Sequence, residues 1–261
     1  MNDFSEVVHG QSCLRRAYNG DIGKRFKELL NDIHPGMAEE FEKLADGWWR
    51  YFETESYIAC VSEHLDDEDK FGRLSMWRAY SESTGVAIVL NNTPFLSPSD
   101  ALKAYTSPVE YLAEDEFEHK FNEIILNIEN NIQFLKEIPK DYIINFAFEM
   151  LRFSIYSTKH PGFKEEREWR VIYSPFLGAS DKLVKSVEVI NGVPQPVYKI
   201  PLKDYPDEGF VGAEIPQLID RIIIGPTEFP DALREAFTML LGDAGVESPE
   251  SRVFVSNIPL R

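Results

Sequence analysis

Residues 114–157 restrict the fold more than any other stretch of this chain. Phe117, Phe121, Ile124, Ile125, Ile128, Ile132 and Leu135 recur at three- and four-residue steps across residues 114–137. That is the period of one helix face. Ile143, Phe146, Met150 and Phe153 carry a second stripe through residues 140–157, beyond Pro139. The pattern predicts two amphipathic helices packed as an antiparallel hairpin. Shorter helical patterns lie at 23–31, 37–52, 74–80 and 229–242, and Asp3 or Ser5 is placed to cap a first helix.

Strand signals complete the class. Residues 57–62, 86–90, 169–173 and 218–224 are short, apolar and rich in β-branched side chains, and read as buried strands sharing one core. Asn191-Gly192 separates apolar runs at 183–190 and 193–200, which predicts a β-hairpin. A last strand is expected at 252–256. With helices gathered early and strands late, the chain reads as α+β: a mixed or antiparallel sheet core, flanking helices and the long helical hairpin. No repeat or linker interrupts it. One domain over 1–261 is expected, with the helices at about 113–158 as an insertion.

Charge narrows the function. Lys and Arg number 27 against 44 Asp and Glu, a formal net charge of −17. Such a balance argues against strong non-specific nucleic-acid binding and against docking on anionic lipid. The two cysteines, Cys13 and Cys60, match neither a zinc pattern nor a disulfide framework. They fit a reducing cytoplasm. No apolar run approaches the roughly 18 residues of a membrane helix, and no signal peptide is visible. The acidic run at 66–69 lacks the glycine and terminal glutamate of a calcium loop. It reads as a mobile, solvated loop.

The stretch from Lys159 to Tyr173 carries the candidate chemistry. Pro161-Gly162 marks a turn, and a strand follows through a crowd of charges. Side chains alternate along a strand, so Glu166, Glu168 and Arg170 share one face, while Arg167, Trp169 and Val171 share the other. The second face is the more apolar and suits the core. The first holds two carboxylates about 7 Å apart beside a guanidinium. It is either a binding or catalytic cluster or a solvated face with an ion pair that contributes little.

Several blocks in this order resemble the bacterial domain-of-unknown-function family 2971. They are Asn2-Asp3-Phe4-Ser5-Glu6, Ala59-Cys60-Val61-Ser62-Glu63, Ser75-Met76-Trp77-Arg78-Ala79-Tyr80 with Gly85-Val86-Ala87-Ile88, and Lys159-His160 through Glu166-Arg167-Glu168-Trp169-Arg170. The tail, Ile222 to Pro226 and Ser256 to Arg261, resembles the family's ending. Family members usually carry a His/Tyr-Tyr-Thr segment before the Asn-Asp block. Its absence here, with the polar start, suggests sequence missing upstream.

A weaker likeness is to ADP-ribosyltransferases, through a middle strand ending in Ser62 and a later strand bearing Glu-x-Glu. This resemblance implies an ADP-ribosyltransferase-like fold and NAD as substrate. Glu168 would stabilise the oxocarbenium-like state and Glu166 would position the acceptor. Asn2, Asp3, Ser62, Trp77, Tyr80 and Arg170 would contact the nucleotide, and no metal is required. A toxin or phage-defence role is one implication. The alternative is a regulatory protein that binds a nucleotide or partner without turnover. A metal-dependent hydrolase on Glu165, Glu166, Glu168 and His160 has poor ligand spacing. Trp77 and Tyr80 share a helix face, and core packing is the commoner use of such a pair.

Overall fold

The structure is a computed structural model that describes residues 5–81, 84–190 and 192–259. Among the described residues the helices are α1 (Ser5–Asn19), α2 (Asp21–Ile33), α3 (Met37–Trp48), α4 (Tyr51–Thr54), α5 (Leu74–Tyr80), α6 (Glu114–Asn130), α7 (Ile132–Leu135), α8 (Lys140–Tyr156), α9 (Ile215–Leu218) and α10 (Pro230–Asp243). The strands are β1 (Tyr57–Ser62), β2 (Val86–Leu90), β3 (Ala104–Pro108), β4 (Glu110–Tyr111), β5 (Thr158–Lys159), β6 (Glu168–Tyr173), β7 (Val184–Ile190), β8 (Val193–Lys199), β9 (Ile219–Ile224) and β10 (Val253–Val255). The α+β class expected from the sequence is what forms. No helix among the described residues is long and apolar enough to cross a membrane.

The chain divides into two compact units, Met1–Val61 with Ser107–Gly178, and Ser62–Thr106 with Ala179–Arg261. The four strands expected to share one core fall into two sheets. One has the order β1-β6-β3 and the other β10-β9-β2.

The first unit is built on α1, which packs against α2, α6 and α8. Val7, Cys13, Leu14 and Ala17 are buried along it. Gly10 lets α1 approach α8 closely, because a Cβ there would lie 2.1 Å from the Ile155 carbonyl oxygen. Phe26, Phe41 and Phe121 meet at ring distances of 5.7 and 5.6 Å inside the same core. The expected helical hairpin is corrected on two points. Helices α6 and α8 each pack on α1 rather than chiefly on one another. The buried stripe of α8 is Ile143, Ala147, Phe148, Leu151 and Ile155, and Phe146 is exposed. Phe148 and Leu151 lie one or two positions off the expected stripe. A helix offers either choice when aromatics occur on both sides, and the site of α1 decides between them.

In the second unit the central strand β9 runs antiparallel to β2 and parallel to β10. Ile222, Ile223 and Ile224 are buried. Ile222 and Ile224 pack with Leu241, Val246 and Val253. Strands β1 and β2 read as buried from composition, but Cys60, Val86 and Ile88 are exposed. Both strands end their sheets, so one neighbour is missing. The β7–β8 hairpin forms as expected, with Gly192 at φ +79°; Asn191 lies outside the described residues. The acidic run is not a free loop. Asp66–Glu68 make a 3-10 turn. Asp69 accepts from His64 at 2.6 Å and pairs with Arg221, and Glu68 holds Arg73 at 3.1 Å. Arg73 nearby and Arg221 from far along the chain offset the like-charge repulsion that the sequence suggested.

Candidate functional site

The site lies in the first unit, where β5 leads into β6. His160 opens the connection by accepting a hydrogen bond from the Gly162 N–H at 3.1 Å, and Pro161 starts the 3-10 turn Pro161–Glu166. Arg167 then adopts a left-handed conformation at φ +45°. A non-glycine residue there is strained. The kink ends the turn, so β6 begins at Glu168 and Glu166 is not part of the strand.

The two carboxylates nevertheless meet. The Lys159 ammonium lies 2.6 Å from Glu166 and 2.7 Å from Glu168. On the other oxygen of Glu168, Arg170 Nε donates at 2.7 Å. Arg170 Nη1 donates to the Tyr156 carbonyl at 2.5 Å. The Glu168 N–H donates to the Tyr111 hydroxyl at 2.8 Å, and its carbonyl accepts from the Val109 N–H at 2.9 Å. The Cys60 thiol also hydrogen-bonds the Glu168 carboxylate.

This cluster is buried, which corrects the strand-face reading. Arg170 is 0% exposed, Glu168 4% and Lys159 6%, whereas Trp169 and Val171 are half-buried. The charged face of β6 therefore points inward. Burial of charge is tolerable only when each group is paired and hydrogen-bonded, and Glu168 has a cation on each oxygen. Burial alone would raise its carboxyl, but hydrogen bonds from Cys60, Lys159 and Arg170 outweigh that and hold it at about 2. The Tyr111 and Tyr156 phenols are pushed up by burial.

The rim is aromatic. Lys159 sits 5.2 Å from the exposed Phe163 ring, and His160 meets Phe163 at 6.4 Å and His9 at 5.4 Å, edge to face. His9 Nε2 lies 2.9 Å from the Leu112 carbonyl. Among the described residues no group of three or more His, Cys, Asp or Glu is arranged to hold a metal ion. The place a cation would take between Glu166 and Glu168 is held by Lys159.

Of the residues singled out in the sequence, Glu166, Glu168 and Arg170 come together. Ser62 is the exposed last residue of β1 and opens the second unit. Trp77 and Tyr80 belong to that unit, on α5. Trp77 is 8% exposed, donates its indole N–H to the Phe71 carbonyl at 2.9 Å, and packs over Gly72 and Gly225. Tyr80 is exposed. Asn2 and Asp3 lie outside the described residues. Lys159, Tyr111, Tyr156 and Cys60 complete the cluster and were not marked by any spacing. Only Lys159, a lone cation directly before the Pro-Gly turn, carried a local signal.

The model of a family of proteins of unknown function, DUF2971, matches residues 76–171. The match takes in the Gly85–Ile88 and Lys159–Arg170 blocks; the blocks at 2–6, at 59–63 and in the tail lie outside it. No curated protein and no solved structure matches the chain. Over the segment that ends on Glu166, Glu168 and Arg170, this chain is thus similar to the DUF2971 family.

Proposed function

We propose that the first unit consumes NAD in the manner of an ADP-ribosyltransferase, as transferase or glycohydrolase, with Glu168 as the charge stabiliser. The observation that carries the reading is the pair Glu166 and Glu168 gathered on one ammonium, with Glu168 ionised throughout the physiological range. In the reaction the bond from ribose to nicotinamide breaks and its electron pair leaves with nicotinamide. Positive charge develops on the ribose. A fixed carboxylate in a water-poor place stabilises that charge better than water does. Water or an acceptor hydroxyl then bonds to the ribose and loses a proton. Glu166 is less buried than Glu168, which supports giving it the role of orienting that acceptor. Phe163, exposed beside Lys159, offers a ring for stacking. Lys159 balances both carboxylates in the resting chain and would turn to the pyrophosphate as the ribose becomes positive. Two cysteines, neither in a disulfide, suit a reducing cytoplasm, where such a protein would act as a toxin or defence effector.

A second reading, a module that binds a nucleotide without turning it over, is favoured by the 4% exposure of Glu168 and by the cation on each of its oxygens. The test measures NAD binding by calorimetry and nicotinamide release. It compares wild type, Glu168→Gln and Glu166→Gln at low temperature, with circular dichroism confirming the fold. The enzymatic reading expects Glu168→Gln to lose turnover by roughly 10²–10³-fold while binding persists. Glu166→Gln should impair transfer more than hydrolysis. Binding without nicotinamide release in any form decides for the module. Neither binding nor release refutes both.

A further inference from the structure

Strands β7 and β8 form a two-stranded sheet of their own. Their register pairs Val189 with Pro194 and Val187 with Pro196. Proline has no N–H, so these are the non-hydrogen-bonded pairs of the antiparallel ladder. The bonded pairs are the alternate ones, Glu188 with Gln195 and Ser186 with Val197. The backbone groups of Pro194 and Pro196 therefore face the open edge of β8, and those of Lys185, Val187 and Val189 face the open edge of β7. Two missing donors blunt the β8 edge. Nothing similar protects β7. Among the described residues, no backbone hydrogen bond reaches Lys185, Val187 or Val189 from outside the hairpin. Val187 and Val189 are each 69% exposed.

We propose that β7 is a docking edge for a second copy of this chain, added antiparallel about a two-fold axis through Val187. Full overlap of Val184–Ile190 with its own copy centres on Val187, a residue whose backbone groups face outward. The ladder then closes with hydrogen bonds in both directions, as a two-fold contact requires. In that register Ser186 stands opposite Glu188 of the second copy, twice, and Lys185 stands opposite Val189. A centre on Glu188 would oppose two carboxylates, and a centre on Lys185 two ammoniums. Like charges directly opposite are destabilising. The register with the most hydrogen bonds is thus also free of charge conflict. A row of Pro196, Val187, Val187 and Pro196 runs across the four strands it creates.

Sedimentation velocity on the purified chain from about 1 to 200 µM tests this. Edge pairing is a small interface, so a dissociation constant on the order of 10 µM is expected. It should tighten with added salt, because each copy carries a formal −17. Val187→Pro removes both central hydrogen bonds at once and should raise the dissociation constant roughly thirtyfold. The hairpin itself does not use that N–H, and a thermal melt checks that the fold survives. Ser186→Glu places a carboxylate opposite Glu188 on both sides and should also weaken the dimer, whereas Ser186→Lys should preserve or tighten it. A chain that stays monomeric over the whole range overturns the proposal and leaves the β7 edge to an extended peptide of another protein. A dimer indifferent to Val187→Pro and Ser186→Glu overturns it as well.

Discussion

Replacing Glu168 by Gln should destabilise the first unit substantially, besides any effect on turnover. The substitution keeps size and shape but removes the one negative charge between Lys159 and Arg170, which bind it at 2.7 Å each. Holding the carboxyl at about 2 instead of 4.5 corresponds to about 3 kcal/mol of stability at pH 7. The usual cost of removing one partner from a buried ion pair, about 3–5 kcal/mol, agrees. The sign gives a second handle. The folded-state value is depressed, so this contribution is present above pH 4.5 and is lost as the pH falls from there through about 2. The gap between wild type and Glu168→Gln should therefore shrink to about half by pH 3. Urea unfolding from pH 7 down to pH 3 measures it, and a melt at pH 7 should fall by on the order of 10 °C. A variant that unfolds within about 0.5 kcal/mol of wild type at pH 7 would refute the reasoning. Glu168 would then behave as a solvated surface carboxylate. A pH-independent gap would sink the electrostatic account while leaving a packing defect.

Three further outcomes follow from the same geometry. Lys159→Met should cost about 3–5 kcal/mol, since it strands Glu166 and Glu168 together; adding Glu168→Gln should recover part of the loss, and simple additivity in urea unfolding would contradict the coupling. Native alkylation at pH 8 should label Cys60, which is exposed, and spare Cys13, whose thiol burial pushes up to about 11; mass spectrometry showing Cys13 labelled in the folded chain would refute this. Gly72→Ala should destabilise the second unit by more than about 1 kcal/mol, because Gly72 sits at φ +65° and a Cβ would meet the Trp77 ring at 2.5 Å; unchanged tryptophan fluorescence and an unchanged melt would count against it.

Local signals in the sequence determined the class of fold and many of its elements, but not the short strands β3, β4 and β5 or the full length of α1. The helical period placed α6 and α8, and Asn-Gly placed the β7–β8 turn, because these features are written in residues a few positions apart. The Pro-Gly turn and the Glu-x-Glu strand likewise pointed to Glu166, Glu168 and Arg170. Only the tertiary structure decided which face of β6 points inward. Alternation assigns side chains to two faces but does not say which one is covered, and the apolar face was the natural choice. The charged face won because Lys159, Tyr111, Cys60 and the Tyr156 carbonyl, from four other segments, satisfy it. The αL residue Arg167 brought Glu166 onto the same ammonium from outside the strand. The acidic run at 66–69 followed the same rule, since its partner Arg221 lies far along the chain. Charges buried or pinned by distant partners leave no periodic trace, for their stability resides in pairings that sequence spacing does not encode.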